Sequence, residues 1–317
     1  MTDRAAGGLM GLLVGDALGV PYEFREADEI PPRDQIEYQP PSGFMAAHFN
    51  VPPGTWSDDG AQALGLLASL LDRGRLDLDD FAKRLLIWYD EGGMAVDGNV
   101  FDVGIQSARA LGKLRAGASP RESGLADEWS NGNGSLMRTL PLALWHKGTD
   151  AELTRDAAEQ SLVTHAHPRS LGCCVLYCLW ARRELDQHAT PWASAVEAFR
   201  SMHHPDDPIR SEVERHVRPD EPPTGQGSGY VVDCLNSSRM VVEAGSSYEE
   251  VLKSAIALGE DTDTTACVAG GIAGIRYGLE GIPRRWRDAL RGRDLYRPRL
   301  EGLLAWLGPS TSTPILP

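Results

Sequence analysis

Two short acidic clusters, Ser57-Asp58-Asp59 and Asp261-Thr262-Asp263-Thr264, lie about 200 residues apart, and each leads into a run of small and apolar residues at helical spacing. Both read as helix N-termini, where hydroxyl and carboxylate side chains accept from free backbone N–H groups and negative charge complements the helix dipole. Taken singly, neither cluster needs more than that capping role. Taken together, they supply only hard oxygen ligands, the set that suits Mg²⁺ or Mn²⁺. A shared site would require both ends of the chain to meet in one fold, with the intervening segments wrapped into the same core. At 317 residues and 42% hydrophobic content the chain is large enough to build that core as a single domain.

The order of apolar residues fits such a fold. Strand signals are few, and Phe81, Leu85, Leu86, Trp88 and Tyr89, like Val231, Val232, Leu235, Met240 and Val241, recur at helical intervals. Further helices are expected near 4–18, 57–73, 100–116, 134–146, 150–163, 169–186, 190–201, 248–258, 263–278 and 297–306. The expected architecture is all-α, a compact helical bundle over 1–307 followed by a flexible tail at 308–317. The stretch from His203 to Gly229 carries five prolines and three glycines, so it reads as an ordered surface excursion or lid.

A net charge of −14 argues against the broad attraction that drives binding to nucleic acid or to anionic membranes. A small-molecule or protein-borne substrate is the more natural partner, and phosphate on it would have to be held by local donors or bound cations. Five cysteines give an odd count with no extracellular disulfide pattern, which fits a reducing cytoplasm. Cys173, Cys174 and Cys178 lack a second well-spaced pair, so they read as core packing rather than a metal site. Leu9 to Leu18 imitates the core of a secretion signal, but Asp16 interrupts it; no stretch is expected to reach the roughly 20 apolar residues of a membrane span.

Other residues carry possible chemistry. Gly11, Gly15 and Gly19 share one helical face and permit close helix packing, while Asp16 beside them must cap backbone or orient a site to be tolerated. Glu23 follows Pro21 and is free to project from a loop. Asn131-Gly132-Asn133-Gly134-Ser135 is a glycine-rich turn expected to run into a helix, an arrangement whose N–H groups cradle phosphate, though it has neither a Walker lysine nor a dinucleotide fingerprint. In Thr164-His165-Ala166-His167, His165 is read as a substrate-contacting or capping residue, with zinc the weaker alternative. Asp102 stands between apolar neighbours, either as a buried capping acid or as the partner of a cation.

In this order the motifs resemble the ADP-ribosylglycohydrolase family. Gly15-Asp16-Ala17-Leu18-Gly19 with Glu23, Trp56-Ser57-Asp58-Asp59, Phe101-Asp102-Val103-Gly104, Asn131 to Arg138, Thr164-His165 and Gly259 to Thr264 carry the resemblance along nearly the whole chain. It implies two Mg²⁺ or Mn²⁺ ions held by Ser57, Asp58, Asp59, Asp261, Asp263 and Thr264. Ser57 departs from the usual Thr but keeps the hydroxyl. It further implies that Asn131 to Ser135 hold the diphosphate with His165 nearby, that Tyr230 stacks on adenine or ribose, and that Glu23, Asp58, Asp59 and Asp263 serve catalysis.

The implied reaction is removal of ADP-ribose from a modified substrate. The Phe101-Asp102-Val103-Gly104 motif resembles the branch acting on ADP-ribosyl-arginine, where an acid near the leaving guanidinium makes electrostatic sense. ADP-ribosyl-serine, O-acetyl-ADP-ribose or another small conjugate is the alternative substrate, and a non-catalytic ADP-ribose binder the alternative class. A monomer acting on ADP-ribosylated protein is expected, with no nucleic-acid or membrane partner.

Overall fold

The structure, a computed structural model, describes residues 1–308. It contains fifteen α-helices and, among the described residues, no strand, only three isolated bridges. The expected tail at 308–317 lies, Gly308 apart, outside the described residues. The helices are α1 (Thr2–Gly19), α2 (Asp58–Arg73), α3 (Leu78–Glu91), α4 (Ile105–Arg115), α5 (Pro120–Ser123), α6 (Leu140–Trp145), α7 (Asp150–Leu162), α8 (Pro168–Leu185), α9 (Pro191–Met202), α10 (Pro208–Glu212), α11 (Val231–Ala244), α12 (Tyr248–Ile256), α13 (Thr262–Tyr277), α14 (Arg284–Ala289) and α15 (Arg293–Leu307).

The two ends of the chain meet along α1 and α13. Their backbones touch because the facing positions carry no side chain: a Cβ on Gly7, Gly11 or Gly15 would sit 2.1, 2.3 or 2.1 Å from the carbonyl oxygens of Gly274, Gly270 and Ala266. Hydroxyls seal the contact. Thr262 Oγ1 donates to Gly19 O at 2.8 Å and Tyr248 Oη to Gly11 O at 2.7 Å. Around this pair α8 runs through the core, with Cys173, Cys174 and Cys178 fully buried and all five cysteines free.

The helix starts follow local chemistry. Ser57 caps α2, accepting from Asp59 N at 3.4 Å, and Gly74 ends it in a left-handed conformation with φ 66°. Asp261 caps α13 and accepts from Thr264 N at 3.3 Å. Elsewhere the expected boundaries move. The helix anticipated at 100–116 begins only at Ile105, because Asp102 takes φ 51° and the chain stays extended to Gly104. That expected at 134–146 shrinks to α6, since Asn133 O accepts from both Leu136 N and Met137 N in a tight turn and Pro141 restarts the helix. The 203–229 excursion holds α10 and a wide turn at Val213–Val217.

The expectation that no stretch is long and apolar enough to span a membrane is overturned. Thr2–Tyr22 reaches a mean hydropathy of 1.2 over its best window and meets that length and composition. Its residues in that window are all buried within the molecule, as the central position of α1 requires.

Candidate active site

The packing of α1 on α13 sets the site. Asp16, fully buried near the end of α1, accepts from Ser57 N at 2.8 Å and from Gly60 N at 2.7 Å, so it caps α2 from outside and pins the Ser57-Asp58-Asp59 cluster to the first helix. By capping that backbone Asp16 also orients the cluster, so the two readings of this acid meet in one contact. The N-termini of α2 and α13 then face each other: Thr264 Oγ1 donates to Asp59 Oδ1 across the gap at 3.4 Å. Glu23, on the turn after α1, brings a carboxylate within 4.8 Å of those of Asp261 and Asp263, and a second triangle joins Glu23, Asp102 and His48.

So many acids in a dry site resist ionising together. Burial first, then the surrounding carboxylates, pushes Asp58, Asp59 and Asp263 well above the usual carboxylate range. The same causes raise Glu23 to about 10 and Asp102 to about 6, and burial, opposed by its backbone hydrogen bonds, raises Asp16 to about 7. Two of the oxygens are also left over: Asp59 Oδ2 and Asp263 Oδ2 are buried with no hydrogen-bond partner among the described residues. Buried polar atoms are normally satisfied. A divalent cation fits both the orphaned oxygens and the oxygen-only character of Ser57, Asp58, Asp59, Asp261, Asp263 and Thr264.

Beside the acids opens a cavity of about 460 Å³, lined by Glu23, Asp58, Asp102, Asp261 and Thr264 on one wall and by Gly132, Asn133, Gly134 and His165 on the other. Asn133 ties the walls together, donating from Nδ2 to Asp261 Oδ2 at 2.8 Å. The glycine-rich turn is not the open nest expected of it. Gly132 N donates to Gln106 Oε1 at 3.2 Å and Asn133 N to Gly229 O at 3.0 Å, which leaves Asn131, Gly134 and Ser135 as the turn's N–H groups without such a partner among the described residues, and of these only Gly134 lines the cavity. No helix starts at the turn either.

His165 is buried beneath this turn, its Nδ1 2.7 Å from Thr164 Oγ1, and burial lowers it to about 3, so the ring is neutral. The capping role weighed for His165 falls instead to its neighbour His167, which accepts from Arg169 N at the start of α8.

Three expected substrate contacts sit differently. Asn131 turns away from the main cavity, donating to Glu128 O at 2.9 Å and accepting from Ser170 Oγ at 3.0 Å. Ser135 is wholly buried, accepting from Ser161 Oγ at 2.7 Å, so its side chain supports the turn from below. Tyr230 lines an adjoining groove with Trp129 and Arg169 rather than the main cavity, the Arg169 guanidinium lying 5.9 Å from its ring centre.

Sequence reasoning missed His48. Its Nε2 lies 2.7 Å from Glu23 Oε2, and its ring packs between Phe24 and Phe101. It comes from an irregular loop with no motif around it, so no spacing could have found it. Gln62 and Arg138 were also overlooked as a pair: Arg138 is buried with no exposure and donates to Gln62 Oε1 at 2.8 Å. A charged residue inside the apolar run Leu136 to Leu140 was the available signal.

This arrangement has counterparts in known proteins. The family model described as ADP-ribosylglycohydrolase matches residues 1–314. An ADP-ribosyl-[dinitrogen reductase] glycohydrolase from Rhodospirillum rubrum is 31% identical over 308 residues, 96% of this chain and 97% of that protein. The ADP-ribosylarginine hydrolase Tri1 of Serratia proteamaculans is 31% identical over 295 residues, 91% of this chain and 75% of its own length. Among solved structures, an ADP-ribosylglycohydrolase-related protein complex superposes with a TM-score of 0.78 at 32% identity, covering 96% of this chain and 98% of that one.

Proposed function

The chain belongs to the ADP-ribosylglycohydrolase family and is an ADP-ribosyl glycohydrolase, and on that premise we propose that it uses two Mg²⁺ or Mn²⁺ ions to release ADP-ribose from arginine side chains of ADP-ribosylated protein. The observation that carries the metal dependence is the pair of buried, unpartnered oxygens, Asp59 Oδ2 and Asp263 Oδ2, inside a cluster of oxygen ligands. Ser57, Asp58, Asp59, Asp261, Asp263 and Thr264 would hold the ions, which supply Lewis-acid polarisation of the ribose hydroxyls when bound.

The chain's own residues do the rest. Glu23 Oε2 and His48 Nε2 share a proton at the cavity wall, so Glu23 is the group placed to hand a proton to the leaving nitrogen or to take one from the attacking water. Gly134, with His165 against it, lines the cavity where the diphosphate would lie, and its N–H is the turn's donor there. Asp102, at the edge of the same cavity, offers a carboxylate to the guanidinium that departs.

Arginine is favoured by the name of the relative from Serratia proteamaculans and by the acid at position 102. A protein-borne substrate is favoured by the cavity mouth, where Phe24, Ile105 and Trp129 stand 68%, 75% and 94% exposed. Such apolar rims are characteristic of surfaces that receive another macromolecule. The test is incubation with defined ADP-ribosyl-arginine and ADP-ribosyl-serine peptides, each with Mg²⁺, Mn²⁺ or chelator. Cation-dependent release from the arginine peptide is expected; release from serine alone, or equal release under chelator, would reject the assignment.

A further inference from the structure

We propose that Arg138 and Thr164 are positioning residues that lock His165 in its Nε2–H tautomer, so that His165 offers a neutral N–H donor to an oxygen of the bound ADP-ribosyl group. The ligand's identity rests on the function proposed above; the tautomer does not.

Proton placement decides the tautomer. An arginine side chain can only donate hydrogen bonds. Arg138 Nη2 lies 2.8 Å from Thr164 Oγ1, so the threonine oxygen accepts there. Its own hydroxyl proton must then go elsewhere. Among the described residues its one further partner is His165 Nδ1 at 2.7 Å. Nδ1 therefore accepts, and the single ring proton of a neutral imidazole is on Nε2. The opposite tautomer would aim two donors at one oxygen and strand the hydroxyl proton in a site where Thr164 and His165 are each 1% exposed.

The lock is anchored at its far end. Arg138 Nη1 donates to Gln62 Oε1 at 2.8 Å, which turns the Gln62 amide nitrogen to Asp58 Oδ2 at 3.1 Å. Arg138 Nε and Nη2 also donate to Gln160 Oε1 and Gln160 O, each at 3.2 Å, so the guanidinium has no freedom to turn. A directional chain thus runs from a carboxylate of the acidic cluster, through Gln62, Arg138 and Thr164, to His165.

The released end of the chain points at the cavity. A Cβ on Gly134 would lie 3.3 Å from His165 Nε2, and one on Gly132 3.6 Å, so glycine at both places keeps the approach to that nitrogen open. With its proton fixed on Nε2, His165 is a donor to an ester or phosphate oxygen and not the base of the reaction.

The test reads the tautomer directly. Two-bond ¹H–¹⁵N correlation spectra of the full-length, histidine-labelled protein at about pH 7, with the His165 signals assigned from a His165→Gln variant, are expected to show the Nε2–H pattern. Thr164→Val should shift His165 to the Nδ1–H form or a mixture, and Thr164→Ser should keep the wild-type pattern. Arg138→Lys, where it folds, should loosen the tautomer as Thr164→Val does; the valine variant carries the test where it does not. In parallel, Thr164→Val should raise KM on the order of tenfold with kcat within about twofold, the size of one lost neutral hydrogen bond. An Nδ1–H pattern in the wild type, or an unchanged pattern in Thr164→Val, would overturn the lock. An altered tautomer with unchanged KM would overturn the donor role. Because the spectra need no turnover, they test the lock even if the hydrolase assignment fails.

Discussion

At the level of single residues the site is defined by oxygens that repel one another. Replacing Asp263 by Asn keeps the shape and the bond from Thr264 N to Oδ1 at 2.9 Å while removing one buried acid that burial and its neighbours hold against ionising. The cation-free protein should therefore become more stable by about 1 kcal/mol or more, while ADP-ribose release falls on the order of 100-fold or beyond. Thermal unfolding in chelator and activity in Mn²⁺ measure the two halves; a variant that is less stable and fully active would contradict both. His165 makes a pH-dependent contribution of known sign. Its folded value of about 3 lies below the ordinary 6.5, so between these the unfolded chain takes up a proton that the folded one refuses. Stability is lost as pH falls through that window, by about 1.4 kcal/mol per pH unit from this one group. His165→Gln should flatten the slope by that amount, measured by urea unfolding in chelator at several pH values below 6.5. The acidic residues were legible because two clusters of oxygen donors leave few chemical options. His48 was not, since its meaning comes from Glu23, a neighbour that only the folded loop supplies.

At the level of elements, the capped starts of α2 and α13 were readable from Ser57 and Asp261, each leading into a run of small and mostly apolar residues. The failures share a cause. Where helix 134–146 was expected, side-chain and backbone partners outside the segment outcompeted the local periodicity, Arg138 being drawn to Gln62, Gln160 and Thr164. The glycine face of α1 was readable as a surface for close packing, but its partner on α13 was not, because small residues permit contact without naming it. That contact yields a paired expectation. Gly15→Val would drive side-chain atoms into the Ala266 carbonyl, which a Cβ alone would approach to 2.1 Å, and separate Asp16 from the N-terminus of α2. Destabilisation of about 3 kcal/mol or more, or failure to fold, is expected. Gly112, exposed within α4 and with nothing among the described residues within 4 Å of its would-be Cβ, should behave in the opposite way. Gly112→Ala is expected to stabilise by about 0.5–1 kcal/mol through helix propensity alone. Urea unfolding of both variants checks the pair, and similar behaviour of the two would remove the special status of the α1–α13 contact.

At the scale of the whole molecule, the site lies where the first and thirteenth helices bring the chain ends together, so whatever binds there closes the longest loop in the fold. Asp16 and Glu23 come from one end, Asp261 and Asp263 from the other, and Ser57, Asp58 and Asp59 from the helix that Asp16 caps. A cation held by Asp59, Asp261 and Asp263 would stabilise the folded state, since the unfolded chain has no preformed counterpart of that site. Linkage then fixes the size of the effect: at one hundred times its dissociation constant, one bound ion adds about 2.7 kcal/mol. Mn²⁺ should raise the unfolding midpoint accordingly, and Asp263→Asn should lose most of that rise. The tryptophans show whether the stabilisation is global. Trp56 precedes α2, Trp180 is in α8 and Trp286 in α14, and each is 1% exposed, so their combined fluorescence reports on separated parts of the core. With both chain ends locked into one core, fluorescence and far-ultraviolet circular dichroism should shift together along a single transition. If added Mn²⁺ instead split the curve, moving one signal and leaving the other, the ions would be steadying a local element and not joining the two ends of the chain.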